Sequence, residues 1–320
     1  MPEIESSYRA PVLFRNGHRQ SICPTLFRRV KVVTGRRERI DTPDGDFLDL
    51  DWGEQGERRL AVLLHGLEGS SKQAYMQGMA RALRRRGWDV LAWSFRGCSG
   101  EPNRHCYSYH SGATGDLATV LEHVFENYAY ESVALVGFSL GGNITLKYLG
   151  DAGTDLDPRV RAAVAFSVPC DLASSAAKMA EPEQRIYMKR LLDCLRDKIR
   201  IKIESHSSEV RDHGLEAMRT FAEFDDCYTA PMNGFKDADE YWARCSCKPV
   251  LGQIRIPALL VSAADDPFLT PACAPREEAR ASQHFYFEHP EHGGHVGFRR
   301  RLLPGEYWSE IRAAEFLQDH

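Results

Sequence analysis

Three short segments carry side chains whose types and spacing could cleave an acyl bond. GFSLGG, residues 137–142, matches G-x-S-x-G. The apolar run SVALV before it and the helix-like LGGNITLKYL after it predict a strand–turn–helix elbow with Ser139 at the tip. Such a turn projects the hydroxyl from a sheet and sets it at a helix N-terminus, whose amides stabilise negative charge. A serine hydroxyl is a poor nucleophile without a base, and the base needs a carboxylate to orient it. SAADDPF puts Asp265 and Asp266 at the end of a strand candidate, and EHPEHGGHVGF brings His289, His292 and His295 after the next one. Ser, Asp, His is the chain order expected when the nucleophile sits on such an elbow. Asp266, followed by Pro267, is the preferred partner, and Asp265 the fallback; the unused one would serve as a turn or capping group. The plain alternative is a glycine-rich turn holding an ordinary serine. A dinucleotide-binding reading would need G-x-G-x-x-G, which the chain lacks here.

Acyl transfer also needs donors for the developing oxyanion. One would be the Leu140 amide, just after the nucleophile. The other is expected from HGLEGSS, residues 65–71, which follows the strand candidate RLAVLL. Leu67 is the expected donor there, with Gly66 and Gly69 letting the backbone come close; alternatively, HG only ends a strand. In SFRGCSG, Arg96 could orient substrate or brace its loop through Asp116, and bracing is the preferred reading. Cys98 lacks the elbow context of Ser139 and reads as a small buried thiol. In YHSG, Ser111 is expected to cap the next helix and His110 to be structural.

These residues need a scaffold that ends several strands at one place. RRVKVVTG and GDFLDLDW read as short strands, with the turn TPDG before the second. RLAVLL, WDVLAWSF, SVALVGF and RAAVAFSV then alternate with helical patterns through QAYMQGMARALRRRG, SGATGDLATVLEHVFENY and LGGNITLKYLG. Strands apolar on both faces, alternating with helices, predict an α/β fold with a mostly parallel central sheet covered on both sides. The rhythm breaks into polar helical text, YMKRLLDCLRDKIR and LEAMRTFAEFDDCY, before IPALLVSA and SQHFYFEH resume the sheet and GEYWSEIRAAEFLQ closes as a helix. Residues 170–249 are therefore expected to be a helical cap or lid, between core segments 1–169 and 250–320. The first 25 residues are weakly patterned and read as a wrap over the main body.

Composition narrows the classes. With 320 residues, 43% hydrophobic, the chain can bury a large core. Its formal charge of −4 predicts no nucleic-acid partner. The arginine triplets at 84–86 and 299–301 read as solvated helix ends or flanks, with an anionic or membrane contact as the minority reading. Nine cysteines without a disulfide framework point to a reducing cytoplasm, and no apolar run approaches a membrane span. Cys245 and Cys247 form a C-x-C without a second pair, so no zinc site is expected. The sequence sets no oligomeric state.

The motifs HGLEGSS, SFRGCSG, YHSG, GFSLGGN, FDDCYTAPMNGF, DDPF and HGGHVGF, in that order, resemble the YheT-like esterase branch of the α/β-hydrolase superfamily, related to the eukaryotic ABHD1/2/3 lipases. The resemblance runs from PTLFRR to the final helix. It implies an α/β-hydrolase fold with a helical cap containing FDDCYTAPMNGF, and activity on carboxylic esters with lipid-like or short acyl groups. It also implies Ser139 as nucleophile, Asp266 as carboxylate and His295 as base. Two positions depart from the pattern: Ser94 replaces an asparagine, and Tyr241-Trp242 replaces a tyrosine pair.

Within the histidine loop, Pro290 and Gly293-Gly294 break the geometry that three metal ligands would need. His289 lies too near the strand end and reads as a boundary residue. His292 is a loop brace and the runner-up as base, and His295 sits on a glycine-flanked approach. The expected protein is a serine carboxylic-ester hydrolase with no cofactor and no metal, acting through an acyl-enzyme on a small acyl ester. The rivals are a thioesterase or amidase with the same residues, a metal-dependent hydrolase, and a non-catalytic binding protein of hydrolase fold. Phe221, Phe224, Phe235 and Trp242 would line an acyl pocket or form the insert's own core.

Overall fold

The computed structural model describes residues 3–301 and 305–320. In chain order its first part runs β1 (Glu3–Ile4), α1 (Gly17–Phe27), β2 (Arg36–Asp41), β3 (Phe47–Gly53), β4 (Arg59–Leu64), α2 (Ala74–Arg84), β5 (Asp89–Ser94), α3 (Thr114–Asn127), β6 (Ser132–Phe138), α4 (Leu140–Ala152) and β7 (Val160–Phe166). A helical stretch follows: α5 (Leu172–Met179), α6 (Arg185–Ser205), α7 (Phe221–Phe224), α8 (Ala230–Met232) and α9 (Ala238–Cys245). The chain then returns through β8 (Ala258–Val261), α10 (Arg276–Ala281), β9 (Phe285–Glu288) and α11 (Trp308–Asp319).

Among the described residues the strands form one sheet in the order β1-β9-β8-β7-β6-β4-β5-β3-β2, in which only β3 runs against the rest. Alternation along each strand feeds two cores. Leu60, Val62 and Leu64 of β4 pack with Leu117, Val120 and Ile144 of α3 and α4. Ala61 and Leu63, one residue out of phase, pack on the other face with Met76, Met79, Ala313 and Phe316 of α2 and α11. Each fully buried aliphatic side chain contributes about 1.5–3 kcal/mol of transfer free energy, so strands apolar on both faces settle in the middle of the sheet. From β4 the chain steps to β5 on one side and then back across to β6 on the other. The carboxyl ends of β4 and β6 thus flank a topological switch point, where open parallel sheets leave a crevice.

The strand expected at RRVKVVTG is displaced. Thr42 N–H donates to the Asp46 carbonyl (3.0 Å) and Gly45 takes a φ of 84°, a turn that pairs Asp41 with Phe47. Counting back from it, Arg36 falls opposite Trp52, and Gly35 N–H donates to the Trp52 carbonyl (2.9 Å) at the very end of β3. The backbone before that is held elsewhere: Val33 N–H donates to Gln77 Oε1 (2.8 Å) and the Val33 carbonyl accepts from Arg84 (3.1 Å). The N-terminal segment, read as weakly patterned, contains α1, started by Asn16 Oδ1 accepting from Arg19 N–H.

The helices between β7 and β8 carry hydrophobic clusters of their own. On α6, Met188, Leu192 and Ile199 recur at helical spacing and pack with Phe224 and Tyr228. A second cluster joins Leu172, Tyr241, Trp242 and Cys245. The FAEFDDCYT text begins as α7, opened by a capping box between Thr220 and Glu223, and widens into one π-helical turn over Asp225–Thr229.

Candidate active site

Ser139 stands between β6 and α4 with a φ of 53°, a left-handed conformation that costs a non-glycine residue free energy. The turn exists because its neighbours lack side chains. A Cβ at Gly141 would come 2.4 Å from the His65 carbonyl oxygen, and one at Gly137 would come 2.5 Å from that of Gly141. Ser139 N–H donates to the Phe166 carbonyl (2.8 Å), locking the elbow to the end of β7.

The loop after β9 brings His295 to it. Ser139 Oγ lies 2.9 Å from His295 Nε2, and His295 Nδ1 lies 2.9 and 3.1 Å from the two oxygens of Asp266. The Asp266 side chain is fully buried. An ionised carboxylate only accepts, so Nδ1 carries the hydrogen and Nε2 is left to accept from the serine hydroxyl. Asp266 is fixed in turn by Phe268 N–H (2.9 Å). The Phe268 ring stacks on His295 with centroids 4.1 Å apart. The loop itself is held by Ser21 Oγ, which accepts from His295 N–H (2.8 Å), and Ser167 Oγ, which accepts from Val296 N–H (3.0 Å). Glu68, Ser139, Ser167 and Val296 all have positive φ, so backbone strain gathers around this one point.

The neighbouring acid does something else. Asp265 accepts from Gly294 N–H (2.8 Å) and lies 3.2 Å from His292 Nδ1, which ties down the approach to His295. His289 Nδ1 faces the Ser262 carbonyl at 2.7 Å. The three histidines thus point to three different partners.

Opposite Ser139 runs the loop after β4. A Cβ on Gly66 would stand 3.3 Å from that of Ser139. Gly66 N–H donates to Tyr75 OH, Glu68 N–H to Tyr109 OH and Gly69 N–H to the Gly66 carbonyl. Among the described residues the Leu67 and Leu140 amides have no hydrogen-bond partner. His65 is fully buried, and burial pulls its pKa down to about 3, so it is neutral. Its Nε2 accepts from Phe95 N–H (3.1 Å), so Nδ1 donates to the Gly66 carbonyl (2.7 Å) and clamps this loop to the end of β5.

Arg96 forms a two-pronged pair with Asp116 (2.6 and 2.9 Å) and reaches Asp44 (2.7 Å), holding the loops after β5 and before β3 together. Cys98 Sγ lies 2.9 Å from Lys198 Nζ on α6, and burial pushes its thiol up to about 11. Burial disfavours the Lys198 ammonium, but Cys98 and Glu68 outweigh it and hold its pKa above the usual lysine value. Ser111 does not cap α3. Ala113 occupies the cap position, and Ser111 Oγ accepts from Tyr241 OH (2.9 Å) because the side chain turns toward α9. Burial lowers His110 to about 4, and its Nδ1 accepts from Gly112 N–H (3.1 Å).

Ser139, Leu140, Leu67 and His295 open into a cavity of about 590 Å³. Leu172, Met179, Leu191, Phe221, Phe224 and Trp242 line it from the helical stretch, whereas Phe235 packs against Tyr241. A mostly apolar cavity ending at a hydrogen-bonded serine can hold an acyl chain and present its carbonyl. Several contributors escape a reading of local motifs: His65, Asn143, Ser21, Ser167, Phe268 and Lys198. The first two adjoin recognisable motifs, as HG and the end of GFSLGGN; the others act across long sequence separations.

The sheet order, the elbow and the loops after β4, β8 and β9 define an α/β hydrolase. A family model described as alpha/beta hydrolase fold matches residues 61–299. Over 312 residues the chain is 39% identical to "Putative esterase YheT" of Escherichia coli strain K12, covering 95% of this chain and 91% of that one. The chain belongs to this YheT-like family of α/β hydrolases. It is also 28% identical over 314 residues to human phospholipase ABHD3, covering 95% of this chain and 76% of that protein. The Pyrococcus furiosus esterase Pf2001 superposes with a TM-score of 0.61 at 18% identity, over 89% of this chain and 90% of that one, and shares its fold. Among the described residues no helix is long and apolar enough to cross a membrane.

Proposed function

We propose that this hydrolase is a serine carboxylic-ester hydrolase. The observation that carries the reading is the line of hydrogen bonds from Ser139 Oγ through His295 to Asp266, set at the end of an apolar cavity. Ser139 attacks the ester carbonyl while His295 Nε2 takes its proton, and Asp266 holds the tautomer and stabilises the imidazolium. The tetrahedral oxyanion takes hydrogen bonds from the Leu67 and Leu140 amides, each contributing about 3–4 kcal/mol to the barrier reduction. His295 then protonates the leaving alcohol. A water activated by the same ring cleaves the acyl-enzyme, freeing the acid and restoring the serine. The chemistry uses side chains, two amides and water.

The substrate is a small acyl ester with a lipid-like acyl group, because the cavity wall is apolar where the chain would lie. Residues 170–249 act as the cap that supplies that wall, over a core of 1–169 and 250–320. A cytoplasmic setting fits nine cysteines that are all free thiols. The test is an ester panel graded by acyl length, with matching thioesters, run on wild type and Ser139→Ala. Wild type should hydrolyse at least one ester and the variant should lose the chemical step; comparable turnover by the variant would overturn the assignment.

A further inference from the structure

The mouth of the cavity has a surface that the chemistry does not use. Among the described residues, every large hydrophobic side chain left exposed, apart from Ile201, lies in residues 12–32 or at the start of α6. Phe27 is 72% exposed, Val12 75% and Ile186 79%. Ile22, Leu26 and Ile186 are at once exposed and part of the cavity lining, so this apolar rim continues into the acyl site. The stretch is held in place: His18 stacks on Tyr187 of α6 and bonds its hydroxyl (3.0 Å).

Its charge is as one-sided as its hydrophobicity. The chain as a whole is net negative, yet residues 12–32 contain Arg15, Arg19, Arg28, Arg29 and Lys31 and no acidic residue. Arg28 is engaged with Glu310. Arg15, Arg19, Arg29 and Lys31 are exposed and form no ion pair among the described residues. Across the mouth, α6 adds exposed Arg185 and Arg190, near Glu183 and the Lys178-bound Glu181, while Lys189 is tied to Asp193. Exposed apolar side chains set among unpaired cations suit a surface that is anionic outside and hydrocarbon inside. A protein partner would need to match both features side by side; the headgroup layer of an anionic membrane does so everywhere.

We propose that residues 12–32, with the start of α6, form a docking surface for an anionic lipid bilayer, which places the cavity mouth against the membrane. This extends the ester-hydrolase reading to substrates held in a membrane, but docking itself does not require the Ser139 chemistry. The test is co-flotation of the full chain carrying Ser139→Ala with vesicles of phosphatidylcholine alone or with about one-third phosphatidylglycerol. Binding should favour the anionic vesicles and weaken as salt screens the surface. In the Ser139→Ala protein, a charge variant (R15Q/R19Q/R29Q/K31Q) should lose at least ~100-fold in partition, at roughly fivefold per cation. A rim variant, L13E/F27E, should also lose binding. On the wild-type serine background both variants should hydrolyse a short water-soluble ester as wild type does, which shows that they fold. Failure of anionic vesicles to bind the unsubstituted surface, or binding unchanged in both surface variants, overturns the proposal. So does a dimer in sedimentation that L13E/F27E dissociates without any vesicle binding, which would make the face a contact between copies. Failure of the wild-type serine protein to hydrolyse any ester, with vesicle binding intact, would instead sink the enzymatic reading alone.

Discussion

The loops at the carboxyl ends of the strands and the helices that cover them are built on different plans. Around Ser139, many polar groups are fixed against the backbone of neighbouring loops: amides hold Asp265 and Asp266, a carbonyl orients His65, the Ser21 and Ser167 hydroxyls hold the His295 and Val296 amides, and glycines set the elbow. The covering helices have separate hydrophobic clusters, and each contact with the core has a side chain on at least one side: Lys198 with Glu68, His18 with Tyr187, and Lys202 with the carbonyls of Asn103 and His105. Backbone anchoring keeps distances within tenths of an ångström, as proton transfer requires. Side-chain pairing tolerates changes of shape, as a wall for varied acyl groups requires. Rate should therefore reside in the loops and selectivity in the cover.

The largest test of that division is Ser139→Ala, which should lower kcat at least ~10⁴-fold on every ester the wild type accepts, with Tm moved by only a few degrees. Next come the adjacent acids. Asp266→Asn should cost about 10³–10⁴-fold in kcat, because the imidazole loses the acceptor that sets its tautomer. Asp265→Asn, one position away, should cost only about tenfold, through a looser loop. Equal losses in the two variants would erase the distinction drawn from their hydrogen bonds.

On the cover, Lys198→Met should leave kcat on a short ester within about tenfold while changing the order of preference among acyl lengths. It should also destabilise by about 3 kcal/mol, because Glu68, whose side chain is only 7% exposed, loses its cationic partner and keeps only the Tyr109 hydroxyl. Adding Glu68→Gln should restore much of that stability in urea unfolding. A cover variant that abolished turnover as fully as Ser139→Ala would break the comparison outright.

The smallest effect concerns Asp225, which lines the cavity and accepts from Trp242 Nε1 (2.9 Å). Burial raises its carboxyl to about 6. A raised carboxyl pKa favours the neutral folded form, so this stabilisation is complete below the ordinary carboxylate range and is lost as pH climbs through about 6. Asp225→Asn keeps an acceptor for the indole and removes the charge. It should flatten stability across pH 4–7 and leave the protein on the order of 1–3 kcal/mol more stable above pH 7, read by thermal or urea unfolding at each pH.

The same division explains what the sequence made legible. The parallel sheet was readable because strands buried on both faces must be apolar throughout, as in RLAVLL and SVALVGF. The Ser139 elbow was readable because steric necessity writes glycines around it. The choice between Asp265 and Asp266 was a preference only, since a single residue's offset decides which side chain faces inward. That offset depends on a turn in which Asp266 N–H donates to the Ala263 carbonyl (3.3 Å). The position of β2 has a similar cause: the TPDG turn is recognisable in the sequence, but its pairing fixes the strand on the residues just before it. Ser111 reads as a cap from its local text because the competing partner, Tyr241, lies 130 positions away. Glu68 and Lys198 are equally distant in sequence, and no local pattern records such a meeting.

Asn143, one turn into α4, spends its side chain on three backbone groups. Its Nδ2 donates to the carbonyls of Ser111 and Cys245 (2.8 Å each), and its Oδ1 accepts from Cys247 N–H (2.9 Å). The last segment of the cover is therefore riveted to the helix that begins at the nucleophile, and the far end of α6 is riveted as well, where buried Lys202 Nζ donates to the carbonyls of Asn103 and His105. The start of α6, by contrast, meets α1 at the exposed His18–Tyr187 pair, so the least anchored wall of the cavity is the one that faces α1.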